Sequence, residues 1–233
     1  MPVRLFVVAL LFASTAAAQN VAPVAGSAKF RVLLRGAPVG TADSVVTRTS
    51  SGWTVEGTGR IDAPIALTVR RLDVEYTDDW RPRGATLDMA SGAEGVVVHA
   101  GFVAGSDARV DIVRDGRQVV FVTMRVSGDA VILPNLAFGA YEALAARLSS
   151  ASAGGTLQAY VLPEREVAVR LDSVTDETLR GTNGPLPTNR WRVTFLDPTG
   201  EIVADVWIRD GRLVRFDLPA QALSVVRSDV TSP

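Results

Sequence analysis

The sequence predicts a mainly β protein: a strongly curved antiparallel sheet or partly open β-barrel of about a dozen strands, with one inserted α-helix. Three observations carry this. Apolar and polar residues alternate along most of the chain, the period of a half-buried strand. Turn-forming pairs such as Asp115-Gly116, Asn183-Gly184 and Asp210-Gly211 separate the alternating runs. Only Asn135 to Leu148 spaces its apolar residues at a helical period, and strands do not alternate with helices as in a parallel sheet.

The chain begins with Arg4, the apolar run Leu5 to Phe12, and Ala13 to Ala18. A basic start, a short apolar centre and an Ala-x-Ala end predict a signal peptide over 1–18, cleaved after Ala18. The run is too short to cross a bilayer, and no later stretch is long enough. The expectation is a mature chain with no integral membrane span, in the periplasm or outside the cell. With no Cys, a thiol-linked lipid anchor, disulfides and thiolate metal sites are excluded. Stability must come from a core, and a mature chain of about 215 residues can bury roughly 70% of its unfolded surface. Residues 19–28 read as a flexible segment, 29–228 as one domain, and 229–233 as a flexible tail.

Phe30, Val32 and Leu34 define the first strand, and Gly36 to Gly40 turns it. Thr41 to Thr49 and Trp53 to Ile61 follow, divided at Ser51-Gly52. In Pro64 to Thr77 the apolar phase slips: Ile65, Leu67 and Val69 are odd, whereas Leu72, Val74 and Tyr76 are even. A continuous strand would swap faces at Arg70-Arg71, which predicts a bulge there. Further strands are expected at 85–89, 95–103, 108–114 and 117–126. The helix is expected near 135–149, with Leu136, Ala140, Ala143, Leu144 and Leu148 on one face. Strands resume at 157–162, 167–174 and 177–180, and a last one spans 222–226.

Trp191 to Leu218 reads as a three-stranded meander. At Asp197-Pro198-Thr199-Gly200 the pattern favours pairing Phe195 with Ile202 and Val193 with Ala204. At Arg209-Asp210-Gly211 it favours a three-residue loop, because that register sets Val206 against Val214, Ala204 against Phe216 and Ile202 against Leu218. The same register predicts an Asp205–Arg215 ion pair and a positive φ at Gly211. Arg114-Asp115-Gly116-Arg117 recurs as Arg209-Asp210-Gly211-Arg212, two hairpins choosing one good turn.

The chemistry-bearing residues are few. The chain has 24 Lys plus Arg against 25 Asp plus Glu, and Lys29 is its one lysine. The arginines interleave with acids, so no basic stripe suggests nucleic acid. His99 is the single histidine, on an apolar strand, with no Gly-x-Ser-x-Gly elbow elsewhere. Asp73 and Glu75 share a strand face with Arg71, which predicts a solvated salt bridge rather than an acid–base pair. Asp78-Asp79 reads as a turn, and Gly181-Thr182-Asn183-Gly184 lacks a P-loop lysine. No catalytic, cofactor-binding or metal-binding residue is assigned, and no cofactor is expected. Trp53, Trp80, Trp191 and Trp207 read as core or rim residues. The helix caps the core or serves as a lid over the open end of the sheet.

Phe30-x-Val32-x-x-x-Gly36-x-x-Val39-Gly40 resembles the start of uncharacterised secreted bacterial β proteins, and Trp207-Ile208-x-x-Gly211-Arg212-Leu213-Val214-Arg215-Phe216 resembles their last hairpin. The order of strands with one inserted helix is similar to that of periplasmic lipoprotein carriers. The latter resemblance implies an incomplete barrel holding acyl chains under a helix. Export and abundant two-sided apolar strand surface make the first expectation a non-enzymatic envelope protein binding a lipid or lipidated peptide in the concave face. The alternative is an interaction module with a filled core, docking an envelope protein partner through an edge strand or surface patch. A carboxylate hydrolase is the weakest reading, because no nucleophile, base and orienting group assemble.

Overall fold

The computed structural model describes residues 24–62, 64–103 and 107–231. The segment 1–18 expected to be a signal peptide, the residues 19–23 after it and the last two of the chain lie outside them. Eight strands run first: β1 (Gly26–Leu34), β2 (Ala37–Thr49), β3 (Gly52–Ile61), β4 (Leu67–Tyr76), β5 (Pro82–Ser91), β6 (Glu94–Val103), β7 (Asp107–Arg114) and β8 (Arg117–Arg125). After β9 (Val131–Ile132), a helical turn at Phe138–Ala140 leads into α1 (Tyr141–Ser149). Then come β10 (Thr156–Val161), β11 (Arg165–Gly181), β12 (Gly184–Asp197), β13 (Gly200–Arg209), β14 (Arg212–Leu218) and β15 (Leu223–Arg227).

All fifteen strands belong to one sheet, ordered β8 back to β1, then β15 back to β9. Two meanders are thus joined where β1 pairs with β15, with Val32 opposite Val225. Every pair is antiparallel except β9–β10, a parallel contact of two residues. Among the described residues no ladder joins β8 to β9, and the sheet is not closed. β1 begins at Gly26, and its pairing with β2 already starts there.

The curved sheet wraps around the helix. Ala143, Leu144, Ala145 and Leu148 are each 0% exposed, so α1 is buried on nearly every side. Small residues make this approach possible. Gly139 in the helical turn crosses Gly57 of β3, and a Cβ on Gly139 would lie 3.0 Å from the Asp43 carbonyl oxygen of β2 and 3.6 Å from the Gly57 Cα. The helix therefore caps and fills the core, rather than covering a hollow.

The phase slip at Arg70-Arg71 is a bulge: Val69 pairs Met89, Arg71 pairs Asp88, and Arg70 is the extra residue. Val69, Leu72, Val74 and Tyr76 all face inward as a result. The Phe195–Ile202 and Val193–Ala204 pairs are as expected. The loop at Gly211 is different. Arg209 pairs with Arg212, so the loop has two residues, and Asp210 (φ 51°) and Gly211 (φ 71°) are both left-handed. This is the turn whose twist suits a hairpin. A bulge then makes Val214 the extra residue, with Ile208 opposite Leu213 and Trp207 opposite Arg215. The bulge decides the matter, because it lets Leu213 and Phe216, three apart, both join the core. The expected Val206–Val214 pairing and Asp205–Arg215 ion pair do not form; Val206 faces Phe216 instead.

The same device occurs three times. Arg35-Gly36 (φ 53° and 77°) and Asp115-Gly116 (φ 48° and 76°) are also two-residue loops with both centres left-handed. In each the third residue of the following strand, Val39 or Val119, is the bulged one.

The strands expected at 167–174 and 177–180 are one strand, β11, which forms a long hairpin with β12. Pro185 and Pro187 concealed it, since proline usually interrupts a ladder. Here β12 pairs with β13 only from Asn189 onward, so both prolines fall where β11 is the sole ladder neighbour. The hairpin tip folds over the outer sheet face, where Leu179, Leu186, Trp207, Val214, Val226 and Val230 form a second apolar cluster. Backbone bonds hold it: Thr182 N–H donates to Asp229 O at 2.8 Å and Thr231 N–H to Arg180 O at 2.9 Å. Asp229 to Thr231 are therefore tied down in the fold.

With Gly211 at φ 71°, Gly211→Val is expected to cost about 1–2 kcal/mol, and Gly211→Asn markedly less. Thermal melts of the two variants measure this; equal losses contradict the turn assignment.

Candidate functional site

The most buried charge in the described residues is on the helix. Glu142 has a fully buried side chain, and the Arg212 side chain is 10% exposed. The Arg212 guanidinium donates twice to it, from Nε to Oε2 at 2.9 Å and from Nη2 to Oε1 at 2.8 Å. Leu213 N–H also donates to Oε2 at 2.9 Å, and Ser44 Oγ–H to Oε1 at 2.9 Å. Four donors thus satisfy one carboxylate, the condition under which a buried charge is tolerated. Arg212 further donates from Nη1 to Val24 O at 3.0 Å. The cluster locks α1 to β14, β2 and Val24 just before β1. Helical periodicity could not reveal it, because an acidic residue on a helix normally implies a wet face.

A second charged network lies on the outer side. Asp205 is 3% exposed, with Arg190 Nη2 at 2.9 Å and Arg192 Nε at 3.1 Å. Burial disfavours its charged form, but the hydrogen bonds from Arg192 and Arg190 outweigh burial and hold its pKa below the usual carboxylate range. Trp207 lies between two guanidiniums, those of Arg190 and Arg215, each 4.9 Å from its ring centroid. Trp53 and Trp80 stack at 5.3 Å, and Trp191 is in the main core.

The sequence-selected polar residues do not converge. His99 is exposed, with Nδ1 3.3 Å from Thr86 Oγ1. Arg71 bonds Asp73 at 2.8 Å, as the strand spacing predicts. Asp79 caps the turn with Thr77 and Arg81, and the Thr77 hydroxyl leads the interactions that lower its pKa. Among the described residues no three His, Asp or Glu side chains gather as metal ligands. No helix there is long and apolar enough to cross a membrane.

The space beside the helix is nearly full. A groove of about 180 Å³ remains at its amino-terminal end, lined by Leu133, Tyr141, Phe195, Phe216 and Leu218 with Arg165 at the rim. Burial pushes the Tyr141 hydroxyl up to about 12. Ligand pockets usually hold roughly 300–1,000 Å³, so this one fits a short apolar group rather than a long chain.

The two sheet edges differ sharply. β9 is short and buried, and Ile132 N–H donates to the Tyr76 hydroxyl at 3.3 Å. β8 is long, and almost every residue in it is exposed. Its inner row, Val120, Val122 and Met124, continues the buried row of Ala108 and Val110 on β7. Its outer row carries Phe121. Val119, Val120, Phe121 and Val122 are 51%, 40%, 68% and 37% exposed. Alternation identified β8 as a strand, but only the strand order shows that among the described residues it has no neighbour on one side.

No family model matches this chain, and no curated protein matches it. A crystal structure from Bacteroides fragilis with a YmcC-like fold aligns over 91% of this chain and 98% of its own, at a TM-score of 0.34 and 8% identity. A superposition at that score supports no argument about fold or activity. None of these comparisons points to the periplasmic lipoprotein carriers.

Two expected outcomes follow from the buried charges. Glu142→Gln strands Arg212 and should cost about 3–5 kcal/mol in urea unfolding. The double variant Glu142→Met/Arg212→Met should recover most of that, leaving about 1–2 kcal/mol for the Ser44 and Leu213 donors. For Asp205, a depressed folded pKa means stabilisation that is full above the ordinary carboxylate value near pH 4 and lost as pH falls through the folded value. Asp205→Asn should therefore cost about 1–2 kcal/mol at neutral pH, discounted for the partly exposed arginines. Its deficit should shrink below about pH 4; a constant deficit in acid unfolding curves contradicts the ion pairing.

Proposed function

We propose that this is an exported, non-enzymatic envelope protein that works by docking another protein along the β8 edge. Export rests on the leader pattern of 1–18, with Ala18 at its end. The docking reading rests on one observation: four consecutive apolar residues, Val119 to Val122, stand exposed on a nine-residue strand with an open edge. An open edge of this kind is a template for strand addition. Proteins usually blunt such edges with proline, lysine or a short strand. β8 contains neither residue and is not short, and its bulge at Val119 leaves Val120 to Arg125 in a regular ladder with β7.

The groove at Tyr141 and Phe216 supports a second reading, the capture of a small apolar group such as the end of a lipid chain. The filled space around α1 favours the edge over this groove.

A photo-crosslinking amino acid placed at Phe121, and in a control at the exposed Val203, separates these readings in the host envelope. One discrete protein adduct at 121, absent at 203, is the expected result. No adduct at 121, or the same adducts at both positions, overturns the edge reading. Copurifying lipid in native mass spectrometry then favours the groove.

A further inference from the structure

Resting on the edge reading, we infer that the occupant of β8 is an extended segment of another protein, apolar in its middle and carrying a carboxylate near each end. The argument is one of charge complementarity. β8 begins at Arg117, ends at Arg125 and contains no acidic residue. Its ladder neighbour adds Arg114 opposite Arg117, and Arg109 on the outer face. Among the described residues, none of Arg109, Arg114, Arg117 and Arg125 is in an ion pair. Arginines elsewhere on the sheet mostly are, as with Arg48–Asp78, Arg170–Asp172 and Arg227–Asp229. The edge therefore presents the apolar run Val119 to Val122 between two arginines roughly 25 Å apart; neither is in an ion pair, although Arg125 stands opposite Asp107 in the ladder.

The middle must be apolar on both sides. Val120 and Val122 face the concave side, whereas Phe121 faces outward beside Asp111. A strand added here has apolar neighbours on each face, unlike the alternating strands of the body. The Asp111 carboxylate is already engaged by Gln118 Nε2 at 2.6 Å, so it does not repel an incoming acid strongly.

A second copy fits less well. An antiparallel pair centred on Phe121 sets Arg117 against Arg125 twice, opposing like charges across the new ladder. Centring on Val120 sets Arg125 against Asp115, which is turned out of the ladder at φ 48° and accepts the Gly95 N–H at 2.9 Å. The chain's own segment after the leader, Gln19 to Pro23, contains no carboxylate and ends in proline. An acid-ended segment of a different protein meets both the apolar and the charged requirement.

The test uses two labelled synthetic peptides, Asp-Thr-Val-Val-Val-Val-Val-Thr-Asp and its Lys-ended counterpart, titrated onto the mature protein by fluorescence anisotropy. The acid-ended peptide should bind roughly ten-fold tighter, weaken as salt rises, and slow hydrogen exchange in β8. Arg117→Glu/Arg125→Glu, at exposed positions, should reverse the preference while circular dichroism stays unchanged. Equal binding of the two peptides overturns the carboxylate requirement. Failure of both peptides alongside a discrete crosslink at 121 overturns this inference and leaves the edge reading standing; failure alongside no crosslink overturns both. Self-association in sedimentation that Phe121→Lys abolishes overturns it in favour of a second copy.

Discussion

A single carboxylate inside the sheet ties the helix to both halves of this molecule. Glu142 sits on a helix between the two meanders, and it accepts from Arg212, Leu213 and Ser44. Those donors come from the carboxy-terminal half in two cases and the amino-terminal half in the third. A buried ion pair adds little net stability over an apolar substitute. Its geometry is directional, however, and an apolar contact is not. We attribute to it the fixed seating of an alanine-rich helix that could otherwise slide along a smooth apolar wall. The Gly57–Gly139 crossing then sets how closely the helical turn approaches β3.

Much of the sheet was legible from alternation. The bulge at Arg70 followed from a phase slip in Val69 and Leu72, and the first meander turn followed from keeping Phe195 beside Ile202. The second turn misled because the pattern Leu213, Val214, Phe216 admits two solutions. A three-residue loop keeps an unbroken strip, whereas a two-residue loop with a bulge buries Leu213 and Phe216 together and sends Val214 to the outer cluster. That outer cluster exists only because the distant β11–β12 hairpin folds over it, a contact no local window contains. Pro185 and Pro187 hid the same hairpin. Glu142 was invisible for a related reason: its partners lie 70 and 98 residues away in the chain.

The functional reading follows from how unevenly the fold treats its surfaces. Interior space is filled by Ala143, Leu144, Leu148 and their neighbours, and the β9 edge is capped by the Tyr76 hydroxyl. Even the outer face near Trp207 is roofed. Against this, β8 leaves Phe121 more exposed than any other large apolar residue described. Exposed apolar surface on an open edge invites association, and here it is bracketed by Arg117 and Arg125, neither of which is in an ion pair among the described residues. The candidate site was legible only as a strand; its position at the end of the sheet depends on the whole strand order.

The central physical claim is that α1 is an integral part of the core, clamped through Glu142, and not a movable lid. Native-state hydrogen exchange tests it most directly. The account predicts that amides of Ala145 to Leu148 exchange only with global unfolding, at the same free energy and denaturant dependence as those of β13 and β14. Exchange of the helix by a separate, low-energy opening while β13 and β14 stay protected would contradict it.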